Sequence, residues 1–446
     1  MQNDTLSQLR AGSLAGITRL DLSCELHDFP EEIFGLADSL EILNLSGNRL
    51  RTLPADLHRL HKLRAIFCSD NLFTELPSAL GDCPALDMVG FKANRISQVA
   101  PNALPEKLRW LILTHNQVSV LPEALGHRPR LQKLMLAGNR LTALPESLAG
   151  GERLELLRIA ANRFETLPRW LIELPRLAWL GCSGNSFSRA PASASLSRDG
   201  ARIVSWQALR LEQKLGEGAS GVIHRASLTC HGKESSVAVK IFKGAVTSDG
   251  LPQDEMDACI AAGLHDHLIG ATGHVVDHPE GRQGLLMPLV DSAFRVLAGP
   301  PSLDSCTRDV YADDVRFTPK ATLGLMQGVA SAAAHLHHAG VLHGDLYAHN
   351  ILWRTSGAAL LGDFGAASFL GGLGDDIATG LQRLETRAFG CLLEECLNRM
   401  DGDASAPLVS ALERIRDDCM QPTPRQRPLF SEIVGALADA SRAVVC

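Results

Sequence analysis

The sequence has 446 residues, 45% of them hydrophobic, and a formal net charge of −7, with a pI near 6.1. At about 100–200 residues per domain, that length holds two or three domains with real cores. The acidic balance excludes the basic stripe that neutralising nucleic-acid phosphates requires, so no nucleic-acid partner is expected. Eleven cysteines are scattered without a Cys-x-x-Cys pair, which reads as reduced thiols. The N-terminal MQNDTLSQLRAGSLAG lacks a basic start followed by an apolar run, and nothing later reaches the ~18 apolar residues of a membrane span. The expectation is a cytoplasmic chain with no membrane partner, export by a signal-independent route being the alternative.

The first half counts out a repeat. Asn48, Asn71, Asn94, Asn116, Asn139, Asn162 and Asn185 are separated by 23, 23, 22, 23, 23 and 23 residues. Around them runs LxxLxLxxN, as in LEILNLSGN at 40–48, LRWLILTHN at 108–116 and LQKLMLAGN at 131–139. Pro54, Pro77, Pro122, Pro145, Pro168 and Pro191 each follow an Asn by six residues, and ITRLDLSC at 17–24 reads as an eighth, N-terminal unit with Cys24 in the Asn slot. Over roughly residues 14–192 this resembles the leucine-rich repeat in its 23-residue LPxxL variety. The resemblance implies stacked turns sharing one parallel sheet, each stable only with its neighbours. Cys24, Cys68 and Cys182 then fill repeat core slots.

Period-2 alternation says what faces out of such a sheet. If Leu43 and Leu45 point inward, then Phe67, Met88, Trp110, Ile112, Met135, Arg158 and Trp179 belong to the concave wall. So apolar a stripe suggests a protein-binding patch. The competing expectation is a permanent cover by the second half of the chain or by a twin subunit. The oligomeric state is open.

A Ser/Ala-rich stretch, SFSRAPASASLSRDGARIV at 186–204, ends the repeats and reads as a linker. Strand-like sequence follows, with Gly216, Gly218 and Gly221 around a turn, Ser220 at its tip, Val222 after it, and Lys240 in VAVK nineteen residues beyond the last glycine. Glycines let backbone approach phosphates, and a lysine supplies a point charge to them. Residues 253–270 have helical spacing with acidic residues at the start. GLLMPLV at 284–290 reads as a strand, and 296–318 as an irregular insertion. A helical face of Leu323, Met326, Ala330, Ala333 and Leu336 then leads into VLHGDLYAHNILW at 341–353. Asn350 lies five residues after Asp345, and Asp363 in LLGDFG lies eighteen after it. His265, His267, His335, His337, His338 and His343 are expected to pack rather than bind zinc.

Together with the glycine turn, VAVK and the Pro424, Arg427, Pro428 signature, these spacings resemble the protein-kinase catalytic domain over about residues 207–440. The resemblance implies ATP and Mg²⁺ as cofactors. It makes Asp345 the base, Asn350 and Asp363 metal ligands, and Lys240 the phosphate contact. Gly216, Gly218, Ser220, Gly221 and Val222 cover the nucleotide, Met287 is the gatekeeper and Val290 the hinge. Glu255 fits best as the partner of Lys240, with Asp257 as rival.

Departures accompany the matches. Gly344 stands where the family has an Arg that answers a loop phosphate, so loop phosphorylation is not the expected switch. No Ala-Pro-Glu is found, and Glu385 takes the place of the Asp that anchors the catalytic loop. Tyr347 replaces the usual Lys, while His349 occupies a position that receptor-type tyrosine kinases fill with Arg, within reach of the transferred phosphate.

The reading is therefore a multidomain chain: an α/β leucine-rich-repeat solenoid over 1–195, a linker over 196–206, and a bilobal α+β kinase-like domain over 207–446. The expected function is an ATP-dependent protein kinase, serine/threonine by preference, whose repeats bind a protein substrate or regulator. The alternatives are a pseudokinase scaffold and a phosphotransferase acting on small-molecule hydroxyls.

Overall fold

A computed structural model of the chain describes residues 2–188, 202–218, 220–230, 232–243, 247, 250–401 and 406–442. The fold divides into two compact units, residues 1–174 and 175–446.

In the first unit, a helix Gln2–Arg10 precedes seven three-residue strands: Arg19–Asp21, Ile42–Asn44, Ala65–Phe67, Met88–Gly90, Trp110–Ile112, Lys133–Met135 and Leu156–Arg158. Each pairs in parallel with the next in chain order, so Leu20, Leu43, Ile66, Val89, Leu111, Leu134 and Leu157 fall in one row. Every member of that row is at most 1% exposed, a burial that contributes about 2 kcal/mol each. On the return side, Pro30, Pro77, Pro122, Pro145 and Pro168 stand immediately before short 3-10 turns, because the proline ring presets the backbone for the turn.

The periodic asparagines carry the hydrogen bonding that the strands are too short to provide. Asn116 donates to Phe91 O at 2.8 Å and to Leu113 O at 3.1 Å, and its Oδ1 accepts from Ile96 N at 2.9 Å. Asn71, Asn94, Asn139 and Asn162 repeat the pattern. Main-chain groups buried by the stacking are thereby satisfied from the next rung. Cys68 is fully buried in its rung.

The second unit opens at Pro175 with the eighth repeat strand, Trp179–Gly181. A six-stranded sheet follows, in the order Leu209–Glu217, Gly221–Cys230, Lys233–Phe242, Gly284–Pro288, Gly273–Val276, Arg202–Ser205. All its pairs are antiparallel except the last. The linker reading needs correcting here: 196–201 lie outside the described residues, but Arg202–Ser205 is a strand whose Val204 joins the sheet core with Val239, Val275 and Leu286.

A helix Pro252–Ala262 follows the third strand of this sheet in sequence and stops at Gly263, whose φ of +64° no L side chain adopts comfortably. The rest is mainly helical: Pro319–His338, Asp375–Leu397, Ala406–Cys419 and Phe430–Arg442. The first of these begins at a Thr-Pro signal, Thr318 capping Ala321 N and Pro319 occupying the first turn. Its Leu323, Met326, Ala330, Ala333 and Leu336 face is buried. Among the described residues no helix is long and apolar enough to cross a membrane.

Candidate active site

Strand alternation places the lysine. Along Lys233–Phe242, Val239 and Ile241 point into the sheet core. Ala238 and Lys240 point the other way, into a cleft of about 740 Å³ that Gly216, Ile223, Leu285, Met287 and Leu352 also line. Glu255, in the first turn of Pro252–Ala262, closes an ion pair with Lys240, both side chains being less than a tenth exposed. Burial pushes the Glu255 carboxyl up, to about 7, against the pull of Lys240. Burial also opposes the Lys240 charge, but Asp363 and Glu255 outweigh it and hold that pKa above the ordinary lysine range. Asp257, the rival partner, instead accepts from Gln253 at 2.9 Å.

A two-stranded ribbon brings Asp363 to the same cleft and ties it to the loop that carries Asp345. Val341–Leu342 pairs antiparallel with Ser368–Phe369, so the loop after the first strand meets the segment before the second. His343 is fully buried and its Nε2 lies 3.0 Å from Gly362 O, while its Nδ1 accepts from Asp345 N at 3.3 Å. The Asn350 amide donates to both the carbonyl and the carboxylate of Asp345, each at 2.9 Å, and Gly362 N donates to Asn350 O at 2.9 Å. Beneath the loop, the buried carboxylate of Glu385 accepts from Gly344 N and lies 2.7 Å from His337 Nε2.

Asp363 sits in the left-handed region at φ 55°, a conformation Asp tolerates. Its Oδ1 accepts from Gly365 N at 3.1 Å and lies 3.7 Å from Lys240 Nζ. Burial works against its charge, yet Lys240 and the Gly365 N–H hold its carboxyl below the usual range. Both amide hydrogens of Asn350 are committed, which leaves its side-chain oxygen Oδ1 to act as an electron-pair donor. With Asp363 that makes a hard-oxygen donor set suited to a small divalent cation.

A protein tyrosine and serine/threonine kinase family matches residues 209–377, and leucine-rich repeat families match 39–60 and 129–187. The chain carries leucine-rich repeats followed by a protein kinase domain. It is similar to Ephrin type-B receptor 4b of Danio rerio, 25% identical over 283 residues, covering 54% of this chain and 28% of that protein. It is also similar to serine/threonine-protein kinase PknH of Mycobacterium tuberculosis, 29% identical over 228 residues, covering 45% and 33%. A third relative is the probable inactive serine/threonine-protein kinase roco10 of Dictyostelium discoideum, 35% identical over 122 residues, covering 26% and 5%. The chain thus spans a third or less of the length of these relatives. A solved leucine-rich repeat protein of Leptospira interrogans superposes with a TM-score of 0.38 at 25% identity, over 45% of this chain and 50% of that one.

Within the kinase domain, the glycine turn closes through Gly218 N to Gly221 O at 3.0 Å, with Ala219 outside the described residues. Gly221 is required there, since a Cβ would lie 2.6 Å from Ile241 O. Val222 pairs with Glu217 and Ile241, and Val290 lines the cleft. Ser220 differs from expectation: it is 6% exposed rather than open at the tip of the turn.

His349 holds Asp309, in the irregular 296–318 segment, at 2.7 Å. Sequence reasoning misses Asp309, because no periodicity marks that segment. It also misses that His343 braces the loop, although His-x-Asp before an Asn is an available signal.

The concave stripe divides. Phe67, Trp110, Ile112 and Met135 are partly exposed. Phe67 leans across Gly90, and Lys133 Nζ lies 4.1 Å over the Trp110 ring. Three members of the stripe are not accessible and need correcting. Met88, in register between Ala65 and the bulky Trp110, is 2% exposed, as is Arg158. Trp179 belongs to the second unit, where its indole stacks on Tyr347 with centroids 4.3 Å apart.

Proposed function

We propose that this protein is an ATP-dependent kinase that transfers the γ-phosphoryl group to Ser or Thr hydroxyls of a protein held by the repeats. The observation that carries the proposal is the Lys240–Glu255 pair with Asp363 at 3.7 Å from the same ammonium. A buried lysine kept charged at the mouth of an apolar slot suits a purine base followed by phosphates. Lys240 holds the phosphates by charge. Asp345, fixed by the Asn350 amide, orients the acceptor hydroxyl and takes its proton as the new O–P bond forms and the bond to the ADP oxygen breaks. Asn350 and Asp363 would hold Mg²⁺, which supplies neutralisation of phosphate charge. The Ser/Thr assignment draws on the similarity to PknH, named a serine/threonine-protein kinase. Phe67, Trp110, Ile112 and Met135 offer an apolar face for the partner.

A second reading, a nucleotide-binding scaffold without transfer, is favoured by the missing Ala-Pro-Glu and by the inactive relative. The deciding experiment supplies labelled ATP and Mg²⁺ with Ser/Thr and Tyr protein acceptors and with small alcohols. Incorporation into Ser or Thr that falls about 10²–10⁴-fold in Asp345→Asn, with nucleotide binding retained, supports the proposal. Nucleotide binding without transfer supports the scaffold, and turnover of small alcohols alone overturns both.

A further inference from the structure

The eighth repeat turn is packed into the kinase domain at main-chain level. The Trp179 indole lies flat on Tyr347, 6° from parallel, and its Nε1 donates to Leu346 O at 3.1 Å. On the other strand of the ribbon, Cys182 N donates to Ser368 Oγ at 3.1 Å and Phe369 N donates to Ser188 Oγ at 3.2 Å. Arg427, only 1% exposed, donates to Pro175 O at 2.6 Å. The ribbon so gripped joins the loop bearing Asp345 and Asn350 to the segment bearing Asp363.

Two glycines make the approach possible. A Cβ on Gly344 would lie 2.5 Å from Leu180 O, and one on Gly372 would lie 1.8 Å from Phe187 O. Positions next to the base and beyond the ribbon are thus relieved of side chains where the repeat backbone passes. Trp179 is 2% exposed. Buried donors satisfied by carbonyls, with backbone against backbone, describe the interior of one domain rather than a cover that lifts away. From Trp179 the ring contacts continue through Tyr347 to His349, tilted by 33° with centroids 5.0 Å apart, whose far side is fixed by Asp309. The loop is therefore clamped between the repeat and the 296–318 segment.

We infer that residues 175–188 are part of the catalytic domain, and that Trp179 is a positioning residue that sets the loop carrying Asp345 and Asn350. The inference rests on the kinase reading for its effect on rate, though not for its effect on the loop. A loop displaced by about 1 Å loses up to 100-fold in rate.

The test uses the full chain with Trp179→Ala and Trp179→Phe, the second deleting the Nε1 donor while keeping a ring for the stack. Steady-state transfer and hydrogen–deuterium exchange of 341–350 are measured together, below the melting temperature of each variant. Expected for Trp179→Ala is a fall in kcat of about 10- to 100-fold, ATP KM within about twofold, faster exchange at 341–350, and partial recovery of both in Trp179→Phe. A rise in kcat would make the contact an inhibitory cover and overturn the inference. Unchanged kcat and unchanged exchange with only a lower melting temperature would reduce it to packing and overturn it too. If Trp179→Ala does not fold, Trp179→Phe against wild type decides by the same two readouts. If wild type transfers nothing, the kinase reading fails by itself, and exchange at 341–350 alone decides this one.

Discussion

His349 keeps Nδ1 2.7 Å from one oxygen of Asp309, while its backbone N–H donates to the other oxygen at 3.0 Å. Burial opposes the imidazolium, but the Asp309 hydrogen bond and charge, with Asp345 and Asp363 beyond, raise its pKa above the ordinary value. A raised pKa means the folded state binds the proton more tightly than the unfolded chain. The resulting stability is fully present below about pH 6.5 and is lost as pH rises through the folded pKa. Asp309→Asn should cost about 1–3 kcal/mol at about pH 6 and less at about pH 8.5. Thermal melts across that range check it, and a pH-independent loss would contradict the assignment.

Glu255 has its pH signature at lower pH. Its carboxyl, pushed up to about 7 from 4.5 by burial, holds its proton in the folded state over a range where the unfolded chain has released it. Stability from this group is therefore present at low pH and falls between about pH 4.5 and 7. Glu255→Gln should flatten that fall, since Asp363 still faces Lys240 at 3.7 Å. Phosphoryl transfer should nonetheless drop about 10- to 100-fold, because the lysine loses its orienting partner. Denaturant titrations at about pH 5 and 8, with activity at the higher pH, test both halves.

In the repeats, Asn116 serves four main-chain groups from two rungs: Phe91 O, Leu113 O, Thr114 O and Ile96 N. Asn116→Ala leaves the buried Ile96 N unpaired, at about 1–3 kcal/mol before relaxation. It also removes one of two donors from the Phe91 and Leu113 carbonyls, since Phe91 O also accepts from Asn94 at 3.2 Å and Leu113 O from Asn139 at 2.8 Å. A loss of about 1–3 kcal/mol is expected by urea unfolding. Rescue by a longer amide is not expected, since Asn116→Gln moves the donor off these carbonyls, and its stability should stay near that of the alanine variant.

How much is legible in the sequence follows from how each feature is encoded. The Asn ladder is periodic, so seven asparagines at near-constant spacing carry their own explanation. Lys240, Asp345, Asn350 and Asp363 carry a spacing signal, because each lies on a strand or within three residues of one. Arg202–Ser205 reads as linker, since four residues beside a Ser/Ala run hold too little pattern to outweigh composition. Trp179 obeys the outward alternation of its rung, and its partner lies 167 residues away. No local signal names such a partner. The same holds for Asp309, whose register with His349 is set by the folding of an aperiodic segment.

Gly344 offers the most direct test of why an arginine is absent beside Asp345. Its φ is +74°, and a Cβ would lie 2.5 Å from Leu180 O and 2.6 Å from Ala366 O. Backbone strain alone makes Gly344→Ala cost more than about 1 kcal/mol, and two main-chain carbonyl oxygens crowding the same space add to it. Its N–H is also the donor that Glu385 receives, so any rotation that relieves the clash breaks this bond. Gly344→Ala should therefore lower the melting temperature and abolish transfer, and Gly344→Arg should do the same rather than create a phosphate-responsive switch. Differential scanning fluorimetry beside a transfer assay checks this. An alanine variant of wild-type stability would show that the repeat backbone does not occupy the space beside Asp345.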